Sequence, residues 1–369
     1  GNDLVAFAVD SGTTSRAVDH NGNSMANGVN NSGTISANGG QVLISAKSAA
    51  GVLDKVINMD GIAEAKSVYQ KDGKIIISGD PNEGVVAVNG KLNASGKSAG
   101  SKGGNIDVTG YNILLGSNAL LDVSGDVGGG NINIGGNYQG KGPLPHANAV
   151  VMAPGAQLVA DAGTSGNGGK IVLWSDYYTN ANGSISAKGG SESGNGGFVE
   201  TSSKQNLSIG DISVDTSAAN GANGSWLLDP ADLTIDSSDS NVSSSSPFIP
   251  TAASSTLNVS TLVSALGSNN VIVQTGLDSF AGNGDIFINS AISYNSSNSL
   301  TLSAYRNISS SLGGSVIDNS GSGNVVLRAD NTGTGTGTID FNGGGNVSTS
   351  GSVSIYYNPT TFGTQDTLY

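Results

Sequence analysis

The chain contains no cysteine, so no disulfide or thiolate metal site contributes to its fold. In a secreted protein of this length, that absence implies a fold that stands without covalent staples. It also suits a chain threaded unfolded through an outer-membrane pore. Charged residues are sparse at 12% and aromatic residues at 5%, and the good helix formers Glu, Lys, Arg, Leu and Gln are few. Extensive helix is thereby disfavoured. No run of about 18 apolar residues is present, so no helix of the sequence is long and apolar enough to span a bilayer. The chain begins Gly1-Asn2-Asp3-Leu4-Val5, without a starting Met or a basic leader, and reads as a mature or excised fragment. Only two histidines occur, His20 and His146, both in loop-like contexts, and three arginines, Arg16, Arg306 and Arg328, lie far apart. Clustered acid–base chemistry has little to draw on.

What the chain has instead is glycine, 57 residues in 369, with abundant Ser, Asn, Thr and Val. Glycine and asparagine tolerate the positive φ of tight turns, while Val, Ile and Thr favour strands. A disordered low-complexity coil would scatter its apolar residues. Here they arrive in short alternating bursts. The net charge of −13 opposes binding to nucleic acid or to an anionic membrane.

The bursts repeat. Gly33-Thr34-Ile35-Ser36-Ala37-Asn38-Gly39-Gly40-Gln41-Val42-Leu43-Ile44 gives the unit: apolar-x-apolar, a Gly-rich turn, then a second alternating burst. Copies recur at Leu121–Ile134, Leu158–Leu173, Ile185–Val199 and Ile212–Leu228, and Gly169, Gly197 and Gly224 are spaced by 28 and 27 residues. A three-residue strand cannot bury enough to stand alone. Stacked coil on coil in parallel, such strands form continuous apolar columns. The sequence is therefore expected to form an all-β, right-handed parallel β-helix with irregular loop excursions. At roughly 20–28 residues per coil, it would make on the order of 13–18 coils and a rod of roughly 60–90 Å. Corner asparagines Asn167, Asn195 and Asn223 are expected to form ladders.

Residues 1–236 read as the β-helix, 237–256 as a Ser/Pro-rich loop or linker, and 257–369 as continuing coils or a second β-rich segment. Within the last, Ser260–Gly267 suits one or two helical turns. Residues 137–146 carry Pro143 and Pro145, which cannot donate in a central ladder, so this segment must leave the coil.

Several landmarks carry a family resemblance: Gly168-Gly169-Lys170-Ile171-Val172-Leu173-Trp174-Ser175-Asp176, Gly224-Ser225-Trp226-Leu227-Leu228-Asp229-Pro230, Leu327-Arg328-Ala329-Asp330-Asn331 and Ser354-Ile355-Tyr356-Tyr357-Asn358-Pro359. Together they resemble the filamentous haemagglutinin-like exoproteins of two-partner secretion, of the high-molecular-weight adhesin type, in the stalk that follows the secretion domain. The Asn-Pro-Asn motif of that domain is absent from this chain. The resemblance implies a secreted adhesin on a Gram-negative cell surface that contacts host or matrix glycans and proteins. It further implies an outer-membrane transporter for the full-length protein. An alternative is a passive delivery stalk for a C-terminal toxin domain, and a polysaccharide-active β-helix enzyme is a third reading. Strand edges at the rod's ends would permit end-to-end self-association.

No catalytic, cofactor or metal residues stand out. Asp122, Asp161, Asp176 and Asp211 read as turn carboxylates. Calcium turns are suggested by Asp126–Asn131 and Gly282–Asp285, but without a tandem nine-residue repeat. A Gly-x-x-x-x-Gly-Lys-Ser/Thr phosphate loop is absent. Trp174, Tyr177 and Tyr178, close in sequence, are the candidate glycan contacts, set against a packing role for Trp174 and one tyrosine; Tyr356 and Tyr357 form a second pair. Asn-x-Ser sequons begin at Asn93, Asn182, Asn206, Asn223, Asn258, Asn295, Asn307 and Asn346.

Overall fold

A computed structural model describes residues 4–8, 15–16, 18–47, 54–68, 72–238, 246–250, 254–278 and 282–356. These residues form a β-solenoid. Twelve parallel strands stack into one long sheet, from Leu4–Ala8 through Gln41–Ser45, Lys74–Ser78 and Asn105–Thr109 to Val353–Tyr356. A second set of 17 strands and a small set of three complete the coils. Every pairing between these strands is parallel, and all but that of Leu233–Asp236 with Ser255–Asn258 join one coil to the next, as an apolar burst repeated once per turn requires.

The interior is a set of side-chain columns. Down the long sheet, Val42, Ile75, Ile106, Ile132, Ile171 and Val199 lie in register, each over the next. The column continues through Trp226, Val271, Leu300 and Val325. All ten are buried. Alternation sets the other face: Ile185 and Ala187 are buried while Ser184 and Lys188 are exposed.

The rod is shorter than the expected 13–18 coils. Twelve strands at about 4.8 Å give roughly 50–55 Å. The reason lies in coil length. Lys170 to Phe198 and Phe198 to Ser225 are steps of 28 and 27 residues, but Asn131 to Lys170 takes 39 and Ser225 to Asn270 takes 45. Those two coils carry the Pro-containing and Ser-rich excursions.

Strand Asn270–Gln274 pairs with Ser225–Asp229, so the long sheet runs on beyond the Ser-rich segment. That segment is not wholly loop, because Ser255–Asn258 is a strand paired with Leu233–Asp236. The helix that follows spans Val259–Ala265 and is capped by the Asn258 side chain, which accepts from Ser260 N–H. Two of the three corner asparagines form a ladder, through the backbone, while the Asn223 side chain instead accepts from Ala218 N–H and donates to Asn298. Asn167 Oδ1 accepts from Asn195 N–H, and Asn195 Oδ1 from Ala222 N–H.

Candidate functional site: the strap over the long sheet

Outward positions of the long sheet are polar or half-buried along most of its length, with an exception in mid-rod. Val172 and Leu227 point outward and are nonetheless buried, as is Glu200 between them. Residues 135–146, the Pro-containing excursion, lie across this face as a strap. Gly135 and Gly140 have φ of 74° and 61°, and a Cβ on Gly140 would stand 2.6 Å from Trp174 Cζ2. The strap therefore needs glycine both for its turns and for its approach to the indole. Trp174 is 7% exposed beneath it, and the His146 ring packs edge-on against the indole at 6.1 Å. His146 Nδ1 is 3.0 Å from Asp176 Oδ1.

Tyr138 anchors the strap's centre. Its ring meets Phe198 edge-on at 5.6 Å, and Lys170 Nζ stands 4.5 Å from its centroid, a cation–π contact. Gln139, at φ 52°, donates its backbone N–H to both Glu200 carboxylate oxygens at 3.0 and 3.2 Å. Burial pushes the Glu200 carboxyl up to about 7, and Asp229, on the next strand, is pushed up to about 7 by the same cause. A pair of carboxylates tuned near neutrality is what acid–base chemistry uses, but Glu200 is fully buried under the strap and out of a substrate's reach.

Beside the strap lies an open groove of about 410 Å³. Its floor is a two-rung amide ladder on the outer face of the sheet. Asn131 Nδ2 donates to Asn105 Oδ1 and Asn133 Nδ2 to Asp107 Oδ1, both at 2.9 Å. Lys74 reaches Asp107 at 3.4 Å, and Pro143 and Leu144 of the strap form an apolar wall. Each ladder bond uses one hydrogen-bonding position of an asparagine and leaves others for a ligand.

The structure separates the three aromatic candidates. Trp174 is packed beneath the strap and Tyr178 is fully buried, whereas Tyr177 is half-buried. The three thus form no shared open face, because the strap claims the indole and the coil interior claims Tyr178. Tyr356 stacks on Arg328, 4.3 Å from ring centroid to guanidinium carbon; Tyr357 lies outside the described residues. Both suggested calcium turns employ their carboxylates internally. Asp126 accepts from Gly100 N–H and the Thr164 hydroxyl, and Asp285 is gripped by Arg306. No group of three or more metal-ligating side chains occurs among the described residues.

Sequence reasoning placed the strap outside the coil but not its landing place, and it missed Glu200. A signal was present. Lys170-Ile171-Val172-Leu173 and Trp226-Leu227-Leu228 are unbroken apolar runs, as a strand buried on both faces would have, but Ile75-Ile76-Ile77 and Val271-Ile272-Val273 read the same way with only half-buried outer residues.

No protein-family model matches the chain, and no curated protein matches its sequence.

Proposed function

We propose that this chain is a segment of a secreted bacterial surface adhesin, a rigid spacer whose outer face makes multiple weak contacts to glycans or matrix proteins. The observation that carries this reading is the amide-floored groove beside the strap. It combines directional donors and acceptors with an apolar wall, the combination that grips a polyol's hydroxyls and its C–H face. Side chains on successive coils stand at a fixed spacing along the rod, so several weak contacts beside this groove can add as avidity. The resemblance of its sequence landmarks to two-partner-secretion stalks supports the same reading.

The test is a glycan and matrix-protein array probed with the chain, an Asn131→Ala/Asn133→Ala variant and a Tyr177→Ala variant. The expected outcome is selective binding weakened by the double substitution. Absence of binding across both arrays would leave the segment a spacer and sink the adhesive reading.

A further inference from the structure

A second groove, of about 490 Å³, opens on another face of the rod. Strands Ile62–Glu64, Lys91–Asn93 and Leu120–Asp122 stack there in register, with Lys91 paired to Ile62 and Leu120, and Asn93 to Glu64 and Asp122. Ala63, Leu92 and Leu121 enter the core, so alternation turns Lys91 and Asn93 outward. Lys66 and Lys97 follow the turns just beyond these strands and line the same groove. Three of the chain's 12 lysines thus converge in a protein of net charge −13.

The three are not equivalent. Lys66 is held by Glu64 at 3.1 Å and Lys97 by Asp122 at 2.9 Å. Lys91 has no carboxylate within ion-pair distance among the described residues. The groove therefore offers one uncommitted ammonium, flanked by two neutralised pairs, with the exposed Ser98 hydroxyl beside it; Asn93 beneath is buried, its amide engaged by Glu64 and Ser95. Such an arrangement suits a ligand with isolated negative charges separated by hydroxyl groups. A phosphodiester chain fits poorly, because its continuous charge would run against Glu64, Asp122 and the acidic rod as a whole.

We infer that this groove binds an acidic polysaccharide of the uronate type, its carboxylate on Lys91 and a hydroxyl on Ser98. The inference is independent of the amide groove beside the strap.

Calorimetric titration of the whole chain with a galacturonate oligosaccharide tests it. The neutral methyl-esterified oligosaccharide and acetate alone serve as comparison probes. The acidic oligosaccharide should bind, with an affinity that falls as salt rises. Lys91→Gln should weaken it about fivefold and Lys91→Glu about tenfold or more, with thermal midpoints unchanged. Lys188→Gln, on a different coil, should bind as the parent does. No binding, equal binding of the ester, or an unchanged Lys91→Glu would overturn the assignment. Acetate competing at equal concentration would overturn it too, by making the site one for free carboxylates.

Discussion

A glutamate at an outward strand position ordinarily faces water, yet Glu200 is fully buried because the strap crosses it. Burial raises its carboxyl to about 7. The Gln139 N–H and the Ser202 hydroxyl pull the other way, the Asp229 charge adds to the rise, and Lys170 offsets it. The folded chain consequently holds these protons more tightly than the unfolded chain does. Stability from this source is fully present below the ordinary glutamate value of 4.5 and is lost as pH climbs through about 7. Asp122 and Asp330 act oppositely. Despite burial, Ser124 and Lys97 hold Asp122 low, and Thr334 and its neighbours hold Asp330 low, so their contribution fades in stronger acid. The thermal midpoint should therefore be higher near pH 5 than near pH 8. Glu200→Gln keeps an acceptor for Gln139 and should recover of order 2–3 kcal/mol at pH 8, flattening the profile. A parent profile that rises from pH 5 to pH 8 would contradict this. Residue-scale packing makes a second case at Trp226. It fills the inward column, and its Nε1 donates at 2.9 Å to Thr201 Oγ1, a buried hydroxyl one coil away in the neighbouring column. Trp226→Phe should cost about 1–3 kcal/mol in denaturant unfolding by orphaning Thr201, and Thr201→Val should cost a similar amount by orphaning the indole. The double substitution should cost less than the sum, since neither group is then left unpaired.

Among the elements, the strap is the one that departs from repeat geometry, and its attachment is concentrated on Trp174 and Tyr138. Trp174→Ala would remove the surface against which Gly136 and Gly140 are packed. Residues 137–146 should then become the first site of limited proteolysis, while the far-UV spectrum stays that of stacked strands. Cleavage at the parental rate would show that Tyr138, Lys170 and Glu200 suffice to hold the strap. The strands themselves were legible in the sequence, because period-two alternation is a local signal that burial enforces directly: Ile185 and Ala187 went inside as their spacing requires. The strap's departure was legible too, because Pro143 and Pro145 cannot serve a central ladder. Its landing was not. Gln139 meets Glu200 across 61 residues, and which outward face accepts a loop depends on coil length and register. The same limit applies to Trp174, Tyr177 and Tyr178. Their closeness in sequence suggested one platform, but a strap 30-odd residues upstream decides which of them is covered. It applies again to Lys66, Lys91 and Lys97, which become neighbours only when strands 29 residues apart stack.

Across the whole molecule, each coil of the long sheet pairs only with the coil before and the coil after, so the rod is close to a one-dimensional array. Stability then divides into the intrinsic free energy of a coil and the interface with its neighbours, and the second dominates because a short strand buries little by itself. Coils in mid-rod have two interfaces, and the coil of Asn131–Ile134 and Lys170–Leu173 also has the strap. Hydrogen exchange should accordingly be slowest through Ile132, Ile171, Val199 and Trp226 and quicken toward Leu4–Ala8 at one end and Val353–Tyr356 at the other. Ile132→Asn places an amide in a column position that is fully buried, at a cost of several kcal/mol. Because coupling runs between neighbours, the loss of protection should spread to Ile106 and Ile171 on either side and decay before Leu300–Ser303. A uniform loss across all coils would instead mean that the rod unfolds as one cooperative unit. Its length as a rod would then depend on its weakest coil, whereas under nearest-neighbour coupling damage to one coil leaves the remote coils standing and the distant grooves intact.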